Sequence, residues 1–237
     1  MKKWGLPILT GAVVLAAVLL PRQISALKDL RTLEAIHTEP LAEGDLTIQE
    51  TTLPQRLELL GRAIRASDRA VYSTTQPLEE LEESGAERAE EAFSQGMGYL
   101  SEWGILPESV DLTALDFQGG SRAVYIQADG ALSASMLYLQ GKTDSRDDLW
   151  LVVDEETGLP VWIDCTLRSA KEDLPSAEVL CQRFCSGLAL ETVQRGPAVW
   201  EVEGAGGLVY SASVERVSGR ICIEPMGFAQ DLFGEED

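Results

Sequence analysis

Residues 4–20 (WGLPILTGAVVLAAVLL) carry no charge and come directly after Lys2 and Lys3. No other stretch constrains the chain as strongly. A helix that crosses a bilayer needs about 20 apolar residues, with a lower limit near 17. At ~1.5 Å per residue the run spans about 25 Å, slightly short of a ~30 Å hydrocarbon core. Trp4 and Arg22 at the two interfaces extend that span. Lys2 and Lys3 stay on the cytoplasmic side, which puts the bulk of the chain outside. An uncleaved single-pass anchor is the first reading. The second is a cleaved signal peptide, with a break at Pro21 and Ile24-Ser25-Ala26 before the cut. Both readings export the rest of the chain. No cysteine lies just after the apolar run, so lipid attachment there is excluded.

The remainder divides into residues 23–51, a stalk helix and linker, and residues 52–168, an α+β unit. Residues 169–228 form a second helix-plus-meander unit, and 229–237 an acidic tail. The stalk rests on the helical stripe Ile24, Leu27, Leu30, Leu33 and Ile36, ended by Pro40. Thr52 caps a helix whose first turn tolerates Pro54 and whose apolar face is Leu57, Leu60, Ala63 and Ile64. Val71 and Tyr72 favour a brief strand. A longer helix runs from about Leu78 to Trp103, with Ala89, Phe93, Gly96, Met97 and Leu100 on one face and a break near Ser84 and Gly85.

Near Ser121 the hydrophobic period falls from helical to two. Strands are expected over Arg122–Ala128 and Leu132–Leu139, joined through the hairpin signal Asp129-Gly130. A second hairpin pairs Asp148–Asp154 with Leu159–Leu167 across Glu155-Glu156-Thr157-Gly158. The next element is a helix over Pro175–Leu190. The chain then closes with strands at Ala198–Glu203, Gly207–Val214 and Gly219–Glu224. The fold class is α+β: an N-terminal transmembrane helix, then an ectodomain of helices on antiparallel meanders.

The hairpin LWLVVDEETGLPVWI, from Leu149 to Ile163, resembles the strand–D-x-x-T-G–strand hairpin of PepSY-like modules in bacterial envelope proteins. That resemblance implies an extracytoplasmic interaction or inhibitory module rather than an enzyme, and it carries over no functional residue.

The chain holds 39 acidic and 19 basic residues, a net charge of −20, which repels nucleic acid and anionic polymers. Much of the acidity falls on Glu79, Glu80, Glu82, Glu83, Glu87, Glu90 and Glu91, the solvated side of one helix. No D-x-D-x-D-G calcium loop occurs, and the absence of asparagine rules out N-glycosylation. Ser25-Ala26-Leu27-Lys28 matches S-x-x-K but lacks its companion motifs. The sole histidine, His37, lies beside the membrane, which leaves the ectodomain without a Ser-His or Cys-His pair. Paired carboxylates at Asp147-Asp148 and Asp154-Glu155-Glu156 are the remaining catalytic option, of the glycosidase kind. Cys165, Cys181, Cys185 and Cys222 read as buried thiols or as disulfides; no C-x-x-C supports a metal site, and no cofactor is expected.

Among the tryptophans, Trp103, Trp150, Trp162 and Trp200 are core or half-buried sheet residues, or else an aromatic surface for a partner. Trp150, Trp162 and Trp200 form the candidate binding surface, with Trp150 and Trp162 on paired strands. The functional expectation is a membrane-anchored extracytoplasmic binding or regulatory protein of a bacterial envelope, working without catalysis on an envelope protein or polymer. A carboxylate-dependent cell-wall or envelope hydrolase is the alternative.

The anchor reading predicts that the full chain stays in the membrane pellet through a carbonate wash. Protease added to intact protoplasts digests it. A soluble product beginning at Leu27 establishes cleavage instead, and protection from protease reverses the orientation.

Overall fold

The computed structural model describes residues 51–64, 71–81, 83–143 and 147–228. The apolar run 4–20, the stalk and the acidic tail lie outside them. Among the described residues no helix is long and apolar enough to cross a membrane.

Helix α1, Leu53–Ile64, starts where expected. The Gln55 side chain accepts a hydrogen bond from the Thr52 N–H at 2.9 Å, one half of a capping box. Leu57 and Leu60 are fully buried on its inner face. The helix expected from about Leu78 is two pieces: a 3-10 turn at Leu78–Glu80, then α2 at Glu83–Glu102. The break comes earlier than Ser84-Gly85, because Leu81 is extended. Gly85 lies inside α2, where a Cβ would fall 2.9 Å from that of Leu81. Glu79 and Glu80 therefore sit on the turn and not on the helix. Helix α3, Ala177–Gly187, is capped by Ser176, whose hydroxyl accepts from the Val179 N–H.

Among the described residues nine strands form one antiparallel sheet in the order β1-β2-β3-β4-β5-β9-β8-β7-β6. They are β1 Val71–Pro77, β2 Leu115–Gln127, β3 Ser133–Thr143, β4 Asp148–Asp154, β5 Pro160–Thr166, β6 Thr192–Gly196, β7 Val199–Val202, β8 Leu208–Glu215 and β9 Arg220–Phe228. Residues of the two expected units, 52–168 and 169–228, share this sheet through the pairing of β5 with β9. The first unit contributes α1, α2, β1 and the meander β2–β5, the second α3 and the meander β6–β9, and the two meanders meet at their last strands.

Three strand expectations need correction. Strand β1 is seven residues long rather than brief. Strand β2 begins at Leu115, well before Ser121; a bulge between Phe117 and Gly119 interrupts the alternation that would have shown it. Strand β6 was absent from the expected pattern. It is an edge strand with no buried residue, so it lacks an apolar alternation.

Alternation along the strands separates the two faces of the sheet. A Cβ on Gly96 of α2 would meet Leu151 and Val153 of β4, and one on Gly141 of β3 would meet Phe93 of α2. Those residues mark the helix-covered face. Trp103 at the end of α2 meets Phe184 of α3 edge-on at 5.8 Å, and Phe184 in turn packs on Tyr210 of β8 at 5.8 Å. Phe184 and Tyr210 are both fully buried, and the Tyr210 hydroxyl donates to the Val161 carbonyl at 2.8 Å.

This three-ring cluster joins α2, α3 and the second meander. Phe184→Ala is expected to cost about 3–5 kcal/mol by opening a cavity at its centre. Glu178→Ala, on an exposed position whose carboxylate accepts only from Gln194, costs about 0.5 kcal/mol. Denaturant melts of the two variants check the orientation of α3. A parent-like Phe184→Ala melt overturns it.

Candidate binding face

The residues between Leu149, Leu151 and Val153 point away from α2. Trp150 is the largest of them and is 47% exposed near the middle of the sheet. Its ladder partners are Gln140 on β3 and Asp164 on β5. Val152 lies one step along β4, between Tyr138 and Trp162 in the same way. Together Tyr138, Trp150, Val152, Trp162 and Asp164 line a shallow groove of about 280 Å³.

The groove rests on fixed partners. The Tyr138 hydroxyl is 2.5 Å from that of Tyr125 on β2. Burial raises the pKa of both phenols, so each keeps its proton. The Arg220 guanidinium of β9 forks onto both oxygens of Asp164, at 2.8 and 2.5 Å. Cys222 of β9 is the ladder partner of Asp164 and shares this face. Trp150 and Trp162 lie on paired strands as expected, with Trp150 facing Asp164 and Trp162 facing Val152, so the two indoles sit diagonally.

Trp200 is elsewhere. It pairs with Tyr210, whose ring packs on Phe184, and so lies on the helix-covered face. Among the described residues its indole nitrogen is the one buried side-chain polar atom without a hydrogen-bond partner. Trp103 stacks on Tyr99 and wedges beside Gly187, a core position. Tyr138, Gln140, Asp164 and Arg220 complete the open face. Their only sequence signal was the parity they share with Trp150 and Trp162 across neighbouring strands.

The paired carboxylates have structural partners. Asp154, fully buried, accepts from Arg56 of α1 at 2.8 and 3.0 Å and from the Thr157 N–H and hydroxyl at 3.0 and 2.6 Å. Arg56 also reaches Glu156 and the Thr51 carbonyl. Glu155 pairs with Arg122 at 2.7 Å. Asp147 accepts from the Arg168 N–H and the Ser169 hydroxyl, and Asp148 from Gln140. A cleft of about 550 Å³ opens between α2 and the β4–β5 turn, with Arg122, Glu155 and Glu156 on its wall.

All four cysteines are buried free thiols. Cys165 is opposite Ile221, and Cys222 opposite Asp164, so the two side chains project from opposite faces of adjacent strands. Cys181 and Cys185 are one turn apart on the buried side of α3, and the Cys181 thiol donates to the Tyr210 carbonyl at 3.9 Å. Among the described residues no three His, Cys, Asp or Glu side chains gather as a metal site. No family model, curated protein or solved structure matches this chain.

Burial pushes the Cys165 thiol well up and that of Cys222 up to about 12, from an ordinary value of 9.0. Both thiols therefore stay protonated in the folded protein where unfolded ones ionise, so their contribution to stability is present below pH 9 and is lost as pH rises through 9 towards 12. Ellman's reagent at neutral pH is expected to leave all four thiols unlabelled until denaturant is added. Rapid labelling of the native chain contradicts the packing.

Proposed function

We propose that this chain is a membrane-anchored extracytoplasmic binding or regulatory protein of a bacterial envelope, held by residues 4–20 and working without catalysis. The observation that carries the reading is the open aromatic face at Trp150. A tryptophan half-exposed near the centre of a nine-stranded sheet, beside Tyr138 and Trp162, leaves apolar area in water that a partner would cover. The partner is an envelope protein or polymer. The net charge of −20 disfavours nucleic acid.

The hydrolase alternative has less support. Each carboxylate it invokes is engaged by an arginine, a hydroxyl, an amide or a backbone N–H, as expected of turn and strand-end residues.

A photo-crosslinking residue at position 150 in the full-length, membrane-embedded chain is expected to capture one envelope component reproducibly. The same residue at position 72, on the sheet edge, is expected not to. Equal capture at both positions, or none, overturns the assignment of this face to a partner. Cell-wall hydrolysis by the purified chain that disappears in Glu155→Gln establishes the hydrolase instead.

A further inference from the structure

We propose that the groove beside Trp150 binds a neutral glycan, taking one sugar ring against the indole. This rests on the binding reading above and names its ligand class. The first ground is shape. The groove, at about 280 Å³, falls at the small end of ligand sites, and its floor is a sheet rather than a pit. Such a floor suits a flat ring whose C–H groups meet the negative face of an aromatic system.

The second ground is charge. Acidic residues outnumber basic ones by 39 to 19 over the chain. Beside Trp150 the carboxylates are engaged: Asp164 is neutralised by Arg220, and Asp148 accepts from Gln140. A site for a basic peptide would leave carboxylates uncompensated beside the indole, and one for a phosphate polymer would leave cations. The residues that flank the indole offer neither.

The third ground is the hydrogen-bonding groups on the rim. Gln140 and Asp164 flank Trp150 on the two neighbouring strands, with Arg220 forked onto Asp164. These planar groups supply donors and acceptors side by side, matching hydroxyls that both donate and accept. A neutral polyhydroxylated ring satisfies all three conditions.

The test is calorimetric titration of the full chain in detergent with a tetramer of β-1,4-linked N-acetylglucosamine, with maltotetraose as a second sugar and tetralysine as the charged competitor. At least one sugar is expected to bind. Trp150→Ala is expected to weaken it at least about tenfold, and Trp150→Phe less. Tyr72→Ala, on the distant sheet edge, leaves binding unchanged. Affinity should hold between low and high salt, because no net charge is recognised. Binding of tetralysine alone, or sugar binding indifferent to Trp150, overturns the proposal. If neither sugar binds while crosslinking at position 150 still captures a protein, the glycan assignment fails and the binding reading stands. Loss of both ends both.

Discussion

The ion pair between Arg56 and Asp154 is the contact on which the arrangement of α1, the first meander and the start of the domain depends. Both side chains are out of water, with Arg56 3% exposed and Asp154 fully buried. Removing two charges from solvent is costly, and the cost is offset only when every remaining hydrogen-bonding position is filled. Here Asp154 is filled by Thr157 and Arg56 by Glu156 and Thr51. One network thus ties helix α1 to a hairpin turn about a hundred residues later. Breaking either partner alone would strand a buried charge, a penalty of about 3–5 kcal/mol. The pair contributes more to the register of α1 against the β4–β5 turn than to net stability. That network also explains why the acidic turn Asp154-Glu155-Glu156 is poorly placed for chemistry.

The two faces of the sheet divide the labour. One carries the aromatic cluster of Trp103, Phe184 and Tyr210 and most of the large core side chains under α2 and α3. On the other, the strip from Tyr138 to Trp162 remains partly open. Strand alternation makes the division unavoidable: with Leu149, Leu151 and Val153 committed to the helices, Trp150 and Val152 must face away. Val152 is nevertheless only 5% exposed, covered by the rings beside it, so Trp150 takes most of the exposure.

The antiparallel α+β class, the three helices and both hairpin turns were legible because each has a local cause. Thr52 and Ser176 cap, Asp129-Gly130 turns, and Ala89, Phe93, Met97 and Leu100 keep one side of α2 apolar. What escaped has non-local causes. The start of β2 is concealed by its bulge, and β6 is held by ladder bonds to β7 alone. Of the three tryptophans assigned to a binding surface, two share the open face. Trp200 does not, because its side is set by its pairing with Tyr210, and no residue count within one strand reveals which face a neighbouring helix will cover. Gln140 and Arg220 carried no signal alone and acquire one only beside Trp150 and Asp164.

The four thiols show how the same topology constrains chemistry. Cysteines in an oxidising compartment, where the proposed function would place this chain, pair when geometry allows. Adjacent strands bring Cys165 and Cys222 close in register but on opposite sides of the sheet, and helix α3 keeps Cys181 and Cys185 one turn apart on its buried face. A Cβ–Cβ approach of about 3.5–4.5 Å with converging vectors is closed to the strand pair without turning a strand over. Burial then withholds at Cys165 and Cys222 the thiolate that oxidation would need. The fold's cohesion therefore comes from its continuous core, while the Arg56–Asp154 network sets the register of α1. The same core, by fixing strand parity from β3 to β9, holds the Trp150 face in place without a covalent staple beneath it.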